Sequence, residues 1–179
     1  MVKKIEILFL CSVLGSSLYA GNVSEAKGFI GLEVNAATVQ GDVGSPIPSF
    51  AEKDYKGNDV EFGLRIGSQT DEWRTTFTLD FYDSSDDDQN IEKGFLLLDY
   101  YFLNGNNSAV KPFIGLNVGY ANYESYEIDD NGFLYGAQAG FAVGVAETIE
   151  IDLSYRYSLS NADVLDHTAS VAFGLNYLY

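Results

Sequence analysis

Apolar and polar residues alternate along most of the chain from residue 27 onward. The last ten residues, SVAFGLNYLY, show the pattern plainly. Val171, Phe173, Leu175, Tyr177 and Tyr179 take every second position, Ser170, Ala172, Gly174 and Asn176 fall between them, and Leu178 is the one departure. A period of two marks a β-strand with one apolar face. Eight segments of this kind are traced, over 27–38, 60–69, 73–83, 91–102, 110–123, 132–145, 149–158 and 168–179. Each is close to the roughly 9–11 tilted residues that carry a strand across a bilayer. Long connections (39–59, 84–90, 124–131, 159–167) alternate with shorter ones (70–72, 103–109, 146–148). That rhythm predicts an up-and-down meander with its longer loops at one end. No helical crossover, linker or second domain shows in the pattern.

Alternation alone does not say whether the apolar face looks into a core or out at lipid. Three features turn it outward. The opposite face is rich in glycine (Gly31, Gly63, Gly67, Gly115, Gly119, Gly136, Gly140, Gly144, Gly174), which weakens a solvated strand but suits a crowded interior. The apolar face carries too many large side chains for an eight-stranded interior, Phe62, Trp73, Phe77, Phe81, Tyr120, Phe133, Phe141 and Phe173 among them. The aromatics also gather at strand ends. Trp73, Tyr100, Phe102, Tyr177 and Tyr179 fall at the turn end, and Phe81, Tyr120, Phe133, Tyr135 and Tyr157 at the loop end, as two interfacial girdles would. The predicted fold is all-β, an eight-stranded antiparallel up-and-down transmembrane β-barrel.

The inward parity then collects the charges that lie within strands: Glu33, Glu61, Arg65, Arg74, Asp80, Lys93, Asp99, Glu150, Asp152 and Arg156, with Gln138 among them. Buried charges must be paired and hydrogen-bonded. Such a set either lines a selective pore or forms a polar plug that braces the wall. The plug is the favoured reading, because barrels of this size are normally filled. Folding the third and fourth strands back about 84–90 brings Arg74 beside Asp99.

Composition adds the compartment. Residues 1–20, MVKKIEILFLCSVLGSSLYA, hold two lysines, an apolar run too short to span a bilayer as a helix, and small residues ending at Ala20. This is read as a secretory signal peptide, with the barrel occupying 21–179. Cys11, the one cysteine, sits inside the apolar run after Leu10, which does not suit a lipoprotein site, and it leaves with the signal. Removing Lys3, Lys4 and Glu6 leaves 8 basic and 25 acidic residues, a net charge of −17. Such a charge excludes nucleic acid as a partner.

Four stretches, KPFIGLNVGYANYE (111–124), GFLYGAQAGFAVGV (132–145), IEIDLSYRYS (149–158) and the final strand, resemble the small outer-membrane β-barrel family of the OmpA, OmpX and opacity-protein type. The resemblance implies the outer membrane of a Gram-negative cell, contact with its lipid and lipopolysaccharide, and roles in adhesion, envelope integrity or weak pore activity. It also implies that Val171, Phe173, Leu175, Tyr177 and Tyr179 form a C-terminal signal read by the barrel assembly machinery. The chain stops at strand eight, so the resemblance does not extend to the peptidoglycan-binding domain of full-length OmpA.

Enzyme chemistry finds little support. A deacylase needs a serine nucleophile, a histidine base and an acid. The one histidine, His167, stands three residues before Ser170, which puts the two side chains on opposite faces of a strand. No nucleotide motif or cysteine–histidine metal cluster occurs, and the acidic runs SSDDDQN and EIDDN lack the spacing of a calcium loop. The expectation is a non-enzymatic surface protein without cofactor, acting through its outside loops on an extracellular ligand. A narrow porin-like channel is the alternative, and a lipid-modifying enzyme is the least favoured. The 39–59 connection mixes glycine and proline with Phe50, Lys53, Tyr55 and Lys56, which makes these four the candidate loop contacts.

Overall fold

The structure, a computed structural model, describes residues 26–42, 54–84, 89–102, 109–125, 128–161 and 166–179. Residues 1–20, with the expected cleavage point at Ala20, lie outside that set, as do Phe50 and Lys53.

Eight antiparallel strands follow one another around a closed barrel. They are β1 (Lys27–Asp42), β2 (Asp54–Gln69), β3 (Trp73–Ser84), β4 (Gln89–Tyr101), β5 (Val110–Ser125), β6 (Ile128–Ala146), β7 (Ile149–Ser160) and β8 (His167–Leu178). Each pairs with its sequence neighbours, and β8 closes on β1 from Phe29↔Leu178 to Gln40↔His167. Tyr179 extends the seam. Its N–H donates to Gly28 O at 2.9 Å and its carbonyl accepts from Gly28 N at 3.1 Å. Closure leaves no open edge, which a strand in hydrocarbon requires.

The end holding Lys27 and Tyr179 is called the base, and the other the rim. At the base, the β2–β3 turn is set by Thr70. Its hydroxyl accepts from the backbone N–H of Glu72 and Trp73 at 3.3 and 3.0 Å, and its own N–H donates to Trp73 O at 2.8 Å. A threonine at this position satisfies the turn's donors without help from another element.

The strands reach further at the rim than alternation predicts. The β1–β2 ladder continues to Asp42↔Asp54, so Tyr55 and Lys56 stand in β2, opposite Gly41 and Gln40. They are strand residues and not part of a 39–59 loop. The β5–β6 ladder continues to Ser125↔Ile128, which turns most of the expected 124–131 loop into hairpin. Beyond the apolar band a strand needs no apolar face, so period two fades while backbone pairing persists. The predicted contrast in loop length weakens accordingly. Only two residues separate β5 from β6 at the rim, against eight between β4 and β5 at the base.

The parity of each strand is as predicted. Leu116, Leu32, Phe62, Ile114, Phe133, Tyr135, Tyr155 and Phe173 point outward and are among the most exposed residues of the described chain. The inward positions are buried and mostly polar. An apolar exterior around a polar interior inverts the order of a soluble protein, and a hydrocarbon surrounding is what stabilises it. The inward glycines stand across the ladder from large inward side chains: Gly67 from Phe29, Gly63 from Asp80 and Glu33, Gly119 from Phe95, Gly115 from Asp99, Gly174 from Asp152. Alternating small and large neighbours let one side chain lie over the next strand's backbone. Gly144 stands across from Glu150, but no side chain lies over it. It is exposed beside the register shift between Gly144 and Ala146, with open space where a Cβ would stand.

Candidate functional site

Ten charged residues stand on the inward parity of five strands, and the barrel buries all ten in its lumen. Glu33 comes from β1, Glu61 and Arg65 from β2, Arg74 and Asp80 from β3, Lys93 and Asp99 from β4, Glu150, Asp152 and Arg156 from β7. None is more than 4% exposed.

Arg74 and Asp99 are register partners, and their side chains meet at 2.9 Å through Nη2 and 3.0 Å through Nε. From this pair the contacts run around the lumen and return. Asp99 Oδ1 accepts from Gln138 Nε2 at 2.6 Å, and Gln138 Oε1 accepts from Arg156 Nε at 3.2 Å. Arg156 Nη1 reaches Glu33 Oε1 at 3.3 Å, and Glu33 Oε2 meets Arg65 Nε at 3.3 Å. Arg65 Nη1 then reaches Asp152 Oδ2 at 2.8 Å, and the same oxygen receives Arg74 Nη1 at 3.1 Å. This closed ring of side chains ties β1, β2, β3, β4, β6 and β7 to one another across the lumen. Lys93 Nζ sits beside the ring on Glu61 Oε1 at 2.5 Å. Asn176 Nδ2 of β8 donates to Asp152 at 2.9 Å, and Gln69 Nε2 donates to Glu150 at 3.2 Å.

An apolar layer lies on each side of the ring. Toward the base are Tyr101, Phe113 and Ala142, with Phe29 and Leu178 also buried. Arg74 stacks its guanidinium 4.5 Å from the Phe113 ring centre. Toward the rim are Phe95, Leu97, Ala121 and Leu134, with the Arg156 guanidinium 5.1 Å from the Phe95 centre. Sequence parity did not bring these inward aromatics into the interior set. The signal was present: Phe95 and Leu97 lie between Lys93 and Asp99 at steps of two, and Phe113 precedes Gly115 by the same step. Leu178, the irregularity of the last strand, is such a residue too, inward-facing and 7% exposed.

The outer wall carries the predicted girdle residues. Trp73 packs on Tyr100 at 4.9 Å near the base, and Tyr120 packs edge-on to Phe133 at 5.4 Å nearer the rim. Val171, Phe173, Leu175, Tyr177 and Tyr179 form an outward stripe down β8. His167 lies beside Tyr157 at 5.4 Å, while Ser170 is buried on the other face of β8, so the two do not meet. Of the candidate loop contacts, Tyr55 and Lys56 lie in β2, and the other two fall outside the described residues.

Several solved outer-membrane proteins share the shape of this chain. Neisserial surface protein A superposes with a TM-score of 0.65 at 14% identity, covering 86% of this chain and 99% of that one. Outer membrane protein H from P. aeruginosa gives 0.61 at 20% identity, covering 86% and 99%. OprG from Pseudomonas aeruginosa gives 0.53 at 19%, covering 86% and 97%. This is a small outer-membrane β-barrel fold. At these identities the likeness is one of architecture. No protein-family profile matches the chain, and no curated protein matches it by sequence.

Proposed function

We propose that this chain is a non-enzymatic outer-membrane protein whose barrel is a closed scaffold and whose rim meets extracellular partners. The observation that carries the reading is the lumen. A ring of buried ion pairs, with aromatic layers on both sides, braces the wall from within and leaves side chains where a channel would need water. Barrels of eight strands have an interior just wide enough to be filled in this way. On this reading the rim end faces out of the cell, the outer wall contacts lipid and lipopolysaccharide, and the β8 stripe ending at Tyr179 serves the assembly machinery. Loops on a rigid scaffold are where binding usually resides, which leaves residues 43–53 and the rim ends of β1 and β2 as the contact region.

The test is reconstitution of the refolded protein in a planar bilayer. A closed scaffold gives no discrete conductance steps above the bare membrane at neutral pH. Reproducible single-channel openings would discard the scaffold reading in favour of a narrow pore.

A further inference from the structure

Closure seals the strands through the apolar band, but above that band the wall parts. The β2–β3 ladder ends at Phe62↔Phe81, at the loop-end girdle. From there β2 continues to Asp54 paired with β1, and β3 continues to Ser84 paired with β4. Among the described residues, nothing pairs with the β3 side of β2 from Asp54 to Glu61.

Hydrogen bonds fix which groups lie on that free edge. Residues of an antiparallel strand turn their N–H and C=O to the two neighbours in alternation. Thr70 N–H donates to Trp73 O at 2.8 Å, so the even-numbered residues of β2 bond toward β3. The seam agrees. Gly28 and Tyr179 bond each other, so even-numbered residues of β1 face β8, and the odd-numbered ones face β2 at odd-numbered partners such as Phe29↔Gly67. Asp54, Lys56, Asn58 and Val60 therefore turn their backbone donors and acceptors into the gap, and Asp83 does so from β3.

On β6 the chain caps a similar edge itself. The β6–β7 ladder ends at Leu134↔Ser160. Asn161 then donates its N–H to Phe133 O at 3.1 Å and accepts from Phe133 N at 2.7 Å through its side-chain oxygen. No such cap meets β2 among the described residues. An open row of backbone donors and acceptors is a template for one more strand. Charge decides which strand fits. The rim ends of β1, β2 and β3 beyond these rungs carry Asp42, Asp54, Asp59 and Asp83 against one base, Lys56, and Asp42 and Asp54 are register partners. Two copies of this edge would set like charges against each other, which destabilises a ladder. A basic segment meets complementary charge instead.

We propose that the free edge of β2, from Asp54 to Val60, is a docking edge that takes an extended basic peptide segment of an extracellular partner as an added strand. Main-chain bonds supply the affinity in this mode, and alternate side chains the specificity. The proposal rests on the reading that the rim is the contact end. Conductance in a planar bilayer and peptide binding in detergent are separate measurements. A conducting barrel that binds peptide discards the scaffold alone, and a closed barrel that does not bind it discards the docking edge alone.

The experiment uses the full chain refolded in a zwitterionic detergent and a fluorescein-labelled octapeptide of alternating Lys and Val. Fluorescence anisotropy reads binding, and amide hydrogen exchange reads the backbone. The expected result is saturable binding that weakens as salt rises, with protection gained at the amides of Lys56, Asn58 and Val60. The same peptide N-methylated at each amide keeps its charge and loses its pairing edges, so it should bind more weakly by about tenfold or more. An alternating Glu–Val octapeptide should not bind. Asn58→Pro removes one donor from the free edge and spares the β1 ladder, which uses the odd-numbered residues. It should leave the heat-modifiable gel mobility of the barrel unchanged and weaken binding by about tenfold. Binding that N-methylation leaves intact, or that protects none of those amides, overturns the proposal, because charge alone then holds the peptide. Absence of binding overturns it as well. A chain that sediments as a dimer and binds no peptide assigns the edge to a second copy. Binding that arises only after 43–53 is replaced by a Gly/Ser link assigns the edge to the chain's own connection, and either result overturns the proposal.

Discussion

The two faces of each strand obey different rules although they alternate along the same residues. On β5 the outward set Ile114, Leu116, Val118 and Tyr120 is exposed on the barrel's outer wall, and any apolar side chain of suitable size serves there. The inward set Phe113, Gly115, Asn117 and Gly119 is specific residue by residue. Gly115 is small because the Asp99 carboxylate lies over it, and Asn117 accepts from Ser158 at 2.8 Å. The lipid face is therefore fixed by composition, and the lumen face by pairing. A substitution outside should act alone, while one inside should be felt by its partners.

The largest effect is expected from breaking the ring at its most buried member. Arg74 is fully buried and touches Asp99, Asp152 and Glu150. Removing one partner from a buried pair leaves the other charge bare and costs about 3–5 kcal/mol. Arg74→Ala should lose about that much in urea unfolding of the refolded barrel, and Arg74→Ala combined with Asp99→Ala should lose less than the sum of the two single changes. Strict additivity in this cycle would show that the two do not interact, and would erase the contrast between the faces.

A charge on the outer wall comes next. Leu116 stands near the middle of the β5 apolar stripe and is 68% exposed. Leu116→Arg should cost about 2–4 kcal/mol in a bilayer, the range for a cation at the midplane. The same change made together with a second one on the far side of the barrel, such as Leu32→Arg on β1, should be additive within about 0.5 kcal/mol, since no shared network links the sites. Folding into lipid vesicles measures it. An unaltered Leu116→Arg would mean that this wall does not meet hydrocarbon.

Glycines separate the faces at a smaller scale. A Cβ at Gly174 would lie 2.8–2.9 Å from the Asp152 carboxylate and also against Arg65, within the ring. At outward-facing Gly94 a Cβ would make ordinary contacts, with a Leu79 methyl at 3.5 Å and the Thr78 carbonyl oxygen at 4.0 Å. Gly174→Ala should therefore cost about 1–3 kcal/mol as overpacking, and Gly94→Ala should stay within about 0.5 kcal/mol of wild type. Equal effects would show that inward glycines do not make room for the ring.

These contrasts also explain how much could be read from the sequence. Strand parity was legible because a one-residue slip would move a whole apolar set from lipid to lumen. The Arg74–Asp99 contact was legible because both sit in one hairpin, where counting back from the loop fixes the register. The Arg156–Glu33 and Arg65–Asp152 contacts were not, since they cross the lumen and depend on the stagger of the closed barrel. Phe29, Phe95, Tyr101 and Phe113 were passed over because bulk was taken as a mark of the lipid face, whereas glycines opposite Phe29, Phe95 and Phe113 leave room inside. The rim ends of β1, β2, β5 and β6 were missed because polar strands beyond the bilayer carry no alternation to count.

The smallest effect on stability should come from the rim connection, where the contrast between scaffold and function is sharpest. Residues 43–53 join β1 to β2, and those two strands are paired along their full length from Lys27↔Gln69 to Asp42↔Asp54. The ladder does not depend on what joins it, and changing the length of a surface loop alters closure entropy only slowly. Replacing 43–53 with a short Gly/Ser link should leave unfolding in urea within about 0.5 kcal/mol of wild type. If Phe50 and Lys53 provide the anchors for an extracellular partner, adhesion of expressing cells to a cultured cell layer should disappear with the replacement. Tyr55 and Lys56 lie on β2 and survive it, so a second variant, Tyr55→Ala with Lys56→Ala, divides the candidate set in two. Adhesion lost only in the second variant moves the contact from the connection to the strand ends. Adhesion retained in both, with the protein still at the cell surface, removes this side of the rim from consideration and leaves the acidic β5–β6 hairpin as the next region to test.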